Sequence, residues 1–334
     1  MGFNDIAGQR VIVESLRNAV KNNMISNGYI FSGSKGCGKK LMAFIFAMAA
    51  NCTGVAADKP CGSCSSCIRT KSGNHPNIEI VRPTGLSIKI KQIRQIISDT
   101  AKKPFESGYK VIIIENAEKM THDAQDAFLK TLEEPPENTV FLLLAENQNL
   151  LLPTIVSRCQ VYQFKPVAAK EIKDFVEARY DFSSADIDAA VRYSKGVVGK
   201  VLELLQDKER YKAHTVFIDI LEKALLGNGS EAQLMASAVA ESKDEAERFM
   251  EFSLTWFRDV MVLRESQGAY EQLIINVDSV EKLSRHNSAL TEGKLNSIID
   301  IIKSTARYVK YNVGIKNSID GMLFNIAEVC LYNG

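Results

Sequence analysis

The chain has 334 residues, 46% of them hydrophobic, enough length and apolar material for two or three packed domains. Lysine plus arginine total 41 against 40 for aspartate plus glutamate, a formal charge of +1, which excludes a broad basic field able by itself to hold nucleic acid tightly. The longest apolar run, Leu41 to Cys52, is too short to cross a bilayer, and the opening residues lack a signal-peptide pattern, so no membrane partner and a cytoplasmic location are expected.

In chain order, "YIFS" at Tyr29–Ser32 reads as a short strand leading into a glycine-rich turn and an apolar helix from Leu41. Further strands are expected at Val111–Asn116, Thr139–Glu146 and Cys159–Phe164. A helix over Ile90–Lys103 precedes the second strand. Another over Thr121–Glu134, capped by Thr121 and stopped by Pro135–Pro136, precedes the third. Apolar strands alternating with helices predict a parallel sheet covered on both faces. After Lys165–Pro166 come two short helices, Ala168–Tyr180 and Ser184–Gly196. From about Val198 the pattern is helical, with breaks near Gly227–Ser230, Glu265–Tyr270 and Thr291–Lys294. The layout is α/β plus α: an α/β domain over 1–165, a small helical domain over 166–207 and a larger helical domain over 208–334.

"GSKGCGKK", Gly33 to Lys40, nearly satisfies the phosphate-loop pattern G-x-x-x-x-G-K-[ST]. Gly33, Gly36 and Gly38 would let backbone N–H groups converge on phosphates, and Lys39 would neutralise them. Lys40 stands where a magnesium-ligating hydroxyl belongs, and an ammonium is donor-only. In "VIIIEN", Glu115 is followed by Asn116, which has no carboxylate to activate water. Two catalytic requirements fail together, so hydrolysis is not expected. A loop that still takes ATP or ADP and a loop kept for packing both stand.

The seven cysteines are odd in number, and three lie in "CGSCSSC", which suits metal ligation in a reducing compartment better than a disulfide framework. Cys61, Cys64 and Cys67 have two-residue spacers, and Cys52 supplies a fourth thiolate for a closed structural zinc site within residues 52–67. An iron–sulfur cluster is the chemical rival, disfavoured because the downstream Cys-Pro of the ferredoxin run is missing. Cys37, Cys159 and Cys330 read as ordinary thiols. Ser157–Arg158–Cys159 follows an apolar turn, and spacing alone leaves Arg158 open as a surface ion-pair member or as an arginine aimed at a neighbour's phosphates.

The combination of "FNDIAGQ" (Phe3–Gln9), the glycine loop, the four cysteines, "HPNIEIV" (His75–Val81), "IRQI" (Ile93–Ile96), "AFLKTLEEPPENTVFLLLAE" and "SRC" resembles the bacterial clamp-loader branch of the AAA+ family. The likeness is strongest over residues 1–165, fainter to about 205, and only architectural beyond. It implies an AAA+ P-loop sheet domain carrying a zinc-binding insertion, a small helical lid and a C-terminal helical collar. It further implies a five-subunit assembly with gamma/tau and delta subunits that places a sliding clamp on primed DNA. ATP sites in this family lie between subunits, with the Ser-Arg-Cys arginine reaching the neighbour's site. Departures from the motor pattern fall at Lys40, Asn116, Ala145–Glu146 and Gly199, while Ser157 and Arg158 are kept. That combination matches a subunit that has lost its own site but supplies Arg158 in trans. An active motor subunit, or a free-standing zinc nucleic-acid binder, are the alternatives. The resemblance makes His75 part of a structural turn. It leaves the apolar stretches Ala246–Leu263 and Gly321–Tyr332 as either core or inter-subunit surface.

Overall fold

The computed structural model describes residues 1–55, 59–100, 107–265, 273–311 and 313–332, which divide into two compact units, Met1–Glu203 and Leu204–Gly334. The first unit runs α1 (Arg10–Lys21), β1 (Gly28–Ser32), α2 (Lys39–Ala50), α3 (Ser65–Lys71), β2 (Ile78–Val81), α4 (Ile90–Thr100) and β3 (Lys110–Glu115). It continues with α5 (His122–Glu133), β4 (Thr139–Ala145), α6 (Pro153–Val156), β5 (Gln160–Gln163), α7 (Ala169–Glu177), α8 (Ser184–Ser194) and α9 (Val198–Gln206).

Among the described residues, five strands form one sheet in the order β2-β3-β4-β1-β5, every neighbouring pair parallel. Side chains of successive strand residues leave opposite faces, and the buried residues sort accordingly. Tyr29, Phe31, Val111, Ile113, Val140 and Leu142 pack with Leu16 of α1 and Met42, Ile45 and Phe46 of α2. Ile30, Ile112, Ile114, Phe141 and Leu143 pack on the other face with Ile93 and Ile96 of α4 and Phe128 of α5. Phe128 meets Phe141 edge to face, centroids 5.0 Å apart. The interior strands β1, β3 and β4 are covered on both sides, which is why they read as nearly continuous hydrophobic runs, whereas β5 at the edge is largely exposed.

The α/β-plus-α class expected from the sequence is the class observed. All four expected strands appear within a residue of their predicted ends. Cys159 and Phe164 fall just outside β5, and Asn116 turns out of β3 with φ 53°. Thr121 caps α5 through its side chain, which accepts from the Ala124 N–H, and α5 stops before the two prolines. Strand β2 was not foreseen. Its "IEIV" is half-buried at the sheet edge and too short for an alternating pattern to stand out. Residues 101–103 of the expected helix and the break at 266–270 lie outside the described residues.

The second unit is helical: α10 (Lys208–Leu225), α11 (Gly229–Met235), α12 (Lys243–Glu265), α13 (Val280–Ala289), α14 (Glu292–Lys310) and α15 (Ile315–Tyr332). Phe217, Phe249, Phe252 and Trp256 form a buried aromatic cluster, with Phe217–Phe249 centroids 5.2 Å and Phe252–Trp256 centroids 5.9 Å apart. Trp256 Nε1–H donates to His286 Nδ1 at 3.0 Å, so the neutral imidazole carries its proton on Nε2. Asp259 is fully buried, and its Oδ2 accepts from the backbone N–H groups of Ile275 and Asn276 and from Asn276 Nδ2. Arg258 donates to the other oxygen at 2.7 Å, so the charge is compensated. Most of the apolar stretch in α12 is core, although Met261 is partly exposed. In α15, Leu323 and Ile326 are buried while Phe324 and Leu331 face outward.

Burial holds both His286 and His214 in the neutral form, pulling each down to about 4; the charge of Arg248 adds to the effect at His214. The unfolded imidazoles protonate near 6.5 and the folded ones do not, so between those values the unfolded state binds more protons and stability falls as pH falls. Denaturant titrations followed by Trp256 fluorescence should show the second unit losing up to roughly 3 kcal/mol per histidine between pH 7 and pH 4. A pH-independent midpoint across that window would contradict the assignment.

Candidate functional site

The glycine loop joins the C-terminal end of β1, in the interior of the sheet, to the N-terminus of α2, where helix amides favour anions. Gly33, Gly36 and Gly38 all take positive φ (155°, 84° and 98°), and Gly38 is the cap residue of α2. The loop has the backbone of a phosphate cradle, but its side chains are turned inward. Lys39 Nζ donates to the carbonyls of Gly33 and, at 2.8 Å, of Ser34. Lys40 Nζ lies 3.0 Å from Glu115 Oε1.

Glu115 is also bound by Arg82, whose Nε is 3.3 Å from Oε2 and whose Nη2 is 3.4 Å from Oε1. The Glu115 side chain is 17% exposed, whereas those of Lys40 and Arg82 are more than half exposed. A largely buried carboxylate needs compensation, and here two cations of the chain supply it. Arg82 was missed by sequence reasoning because it lies 33 residues from Glu115. The register explains the pairing: Val81 of β2 stands opposite Ile114 of β3, so the next residue of each strand meets the other.

Gly199, where the sequence departs from the motor pattern, meets this loop directly. Its N–H donates to the Gly36 carbonyl at 3.0 Å. A Cβ at Gly199 would lie 2.7 Å from that oxygen, and one at Gly36 would lie 3.0 Å from Val197 Cγ1. The N-terminal end of α9 therefore sits on the loop through a backbone contact that only glycine permits.

The four cysteines converge. The sulfurs of Cys52, Cys61, Cys64 and Cys67 all lie within 4.8 Å of one another, with Cys52–Cys64 at 4.0 Å and Cys61–Cys67 at 3.9 Å. Four thiolates on one tetrahedral ion at ~2.3 Å would stand about 3.8 Å apart, so the cluster fits a metal. Backbone N–H groups point at the sulfurs: Cys61 N–H at Cys52, Cys64 N–H at Cys61, and Cys67 N–H at Cys64, at 3.3–3.4 Å. Donors from Ser63 and Cys64 hold the Cys61 thiol down at about 7. At Cys64, burial acts upward but donors from Cys67 and Thr53 outweigh it, giving about 5, whereas burial pushes Cys67 up. Gly54 is needed because a Cβ there would lie 2.6 Å from Cys61 Sγ. His75 is buried beside the cluster, its Nε2 3.0 Å from Ser66 Oγ and its Nδ1 accepting from the Asn77 N–H.

Arg158 follows α6 and precedes β5. Its Nη2 donates to Glu133 Oε1 at 2.7 Å and its Nη1 to the Thr154 carbonyl at 3.0 Å. Ser157 Oγ also donates to that carbonyl, at 3.0 Å. Cys159 is half-buried against β1, where a Cβ at Gly28 would lie 2.8 Å from its sulfur, and desolvation pushes its thiol up to about 12. The parallel pairing of β1 and β5, with Tyr29 opposite Gln160, puts Arg158 at the N-terminal edge of the sheet. The glycine loop is at the C-terminal edge, a five-residue strand away, or about 16 Å.

Replacing Gly199 by valine should push α9 off the loop and lower the stability of the first unit by about 1–3 kcal/mol in urea titrations. An unchanged midpoint would mean that the close approach to Gly36 carries no weight.

A family model described as DNA polymerase III, delta subunit, matches residues 8–168. The DNA polymerase III subunit delta' of Bacillus subtilis is 29% identical over 95% of this chain and 95% of its own length. The tau subunit of the same organism is 28% identical over 92% of this chain, which spans 58% of that longer protein. A gamma subunit-related protein of Thermotoga maritima superposes with a TM-score of 0.48 at 19% identity, over 95% of this chain and 99% of that one. The sequence matches bear out the resemblance drawn from the motifs: the chain is similar to DNA polymerase III subunits of the clamp-loader type.

Proposed function

We propose that this chain is the delta-prime subunit of a bacterial DNA polymerase III clamp loader, a non-hydrolysing AAA+ subunit that supplies Arg158 to the ATP site of a neighbouring motor subunit. The observation that carries this reading is the placement of Arg158 at the sheet edge opposite its own loop. From there it is remote from any phosphate in its own cradle but presented, 36% exposed, to an adjoining subunit. A guanidinium donates to several phosphoryl oxygens at once and stabilises the charge that spreads over them during transfer. The inward-turned loop supports the other half of the reading. Lys40 stands in the place of the metal-ligating hydroxyl and is engaged by the carboxylate that would otherwise face the metal.

In this role residues 1–165 form the AAA+ domain, 166–207 the lid and 208–334 the collar that holds gamma/tau and delta subunits in a cytoplasmic heteropentamer. The sliding clamp and primed DNA are met through the complex. Cys52, Cys61, Cys64 and Cys67 hold a structural zinc ion, which with four protein ligands has no position open for chemistry. A second reading, a gamma/tau-type motor, is favoured by the retained glycines and Lys39. Mg-dependent ATP turnover by the isolated chain, abolished by Lys39→Ala, would select it.

In the reconstituted assembly, Arg158→Ala should leave the complex intact yet slow single-turnover hydrolysis at the site it faces by on the order of 10³-fold. An unchanged rate at every motor site would reject the trans role. Elemental analysis should find about one zinc per chain, and Cys64→Ser should release it and cost the first unit several kcal/mol. Iron with visible absorption would overturn the metal assignment.

A further inference from the structure

The carboxylate that meets Arg158 is placed against the local electrostatics. Glu133 is the last residue of α5, where the unpaired carbonyls make the helix end negative and an acidic side chain is disfavoured. The helix cannot run on past it because Pro135 and Pro136 follow. Arg158 provides the compensating charge at 2.7 Å. On the other side of the guanidinium, the Thr154 carbonyl accepts from Nη1 at 3.0 Å, and the same Nη1 lies 3.4 Å from Ser157 Oγ.

The two acceptors come from different elements, α5 and α6, and they hold different nitrogens of one planar group. Two anchors on two nitrogens fix the plane of a guanidinium as well as its position. The Nε–H meets no acceptor among the described residues, so the group keeps donors that these two anchors do not use. We infer that Glu133 is a positioning residue: together with the Thr154 carbonyl it orients Arg158 before a neighbour arrives, so that the arginine is delivered to phosphate without a search through rotamers. This inference rests on the trans role proposed above and adds to it a residue that acts through Arg158, without touching nucleotide.

The geometry distinguishes orientation from restraint. Were the ion pair a restraint to be broken, removing Glu133 would free the arginine and speed the neighbour. Orientation predicts the reverse. In the reconstituted complex, Glu133→Ala should lower single-turnover hydrolysis at the neighbouring site about tenfold, because misplacing a reacting group is costly, while the ATP concentration for half-maximal rate stays the same. Glu133→Gln, which keeps an acceptor oxygen at that position, should recover most of the loss. The double variant with Arg158→Ala should be no slower than Arg158→Ala alone.

A rate for Glu133→Ala that is unchanged or raised, while Arg158→Ala is slow, would overturn the inference, as would a double variant slower than either single one. If Arg158→Ala itself has no effect, the trans reading fails and this inference fails with it. In the free chain, NMR of the Arg158 guanidinium separates the two failures. Hindered rotation about Cζ–Nη should be relieved by Glu133→Ala, and equal rotation in both chains would refute the orienting contact whatever the complex does.

Discussion

All five strands of the sheet run the same way, and that single constraint sorts the chemistry of the first unit into two ends. Strand ends and the segments that leave them gather at one edge: the glycine loop after β1, Glu115 at the end of β3 with Asn116 after it, and Arg82 after β2. Segments that enter strands gather at the other, including Arg158 ahead of β5 and the α5 terminus ahead of β4. A loop and an arginine that would have to meet for hydrolysis within one chain are thereby held a full strand length apart. On the proposed reading, a second chain offering its own strand-exit edge would bring the two kinds of group together.

At the exit edge, a carboxylate has exchanged partners. Glu115 is engaged by an ammonium and a guanidinium fixed by the fold, Lys40 on α2 and Arg82 beyond β2. Fixed cations differ from a bound ion in one respect: they neither arrive with nucleotide nor leave with product. The local charge balance at the loop thus comes from the chain itself, and Lys39 likewise turns to the chain's own carbonyls, those of Gly33 and Ser34.

Much of this was legible in the sequence because the residues concerned are close in the chain. The loop pattern, the cysteine spacers, the cap at Thr121 and the apolar strands are local signals, and each stands where its spacing put it. What escaped were pairings made by topology. Arg82 reaches Glu115 only because β2 and β3 are neighbours, Glu133 reaches Arg158 because α5 ends beside α6, and Gly199 reaches Gly36 across 163 positions. The motif comparison marked Gly199 only as a departure from the motor pattern, whereas its packing gives it a positive task. Smallness there is required by the backbone of the loop. Strand β2 was overlooked since four residues at an edge, three half-buried and one buried, carry too little periodicity to register.

The contact between Gly199 and Gly36 also bears on how such a chain can change over generations. A change of Lys40 to a hydroxyl residue would supply one component of the phosphate-loop pattern, but the backbone of α9 would still rest on the loop. Introducing a longer side chain at position 199 first would drive it into the Gly36 carbonyl. Neither step is useful without the other, and the second is harmful alone. The close approach of the two backbones thus makes position 199 one that can accept a side chain only if the loop itself moves first.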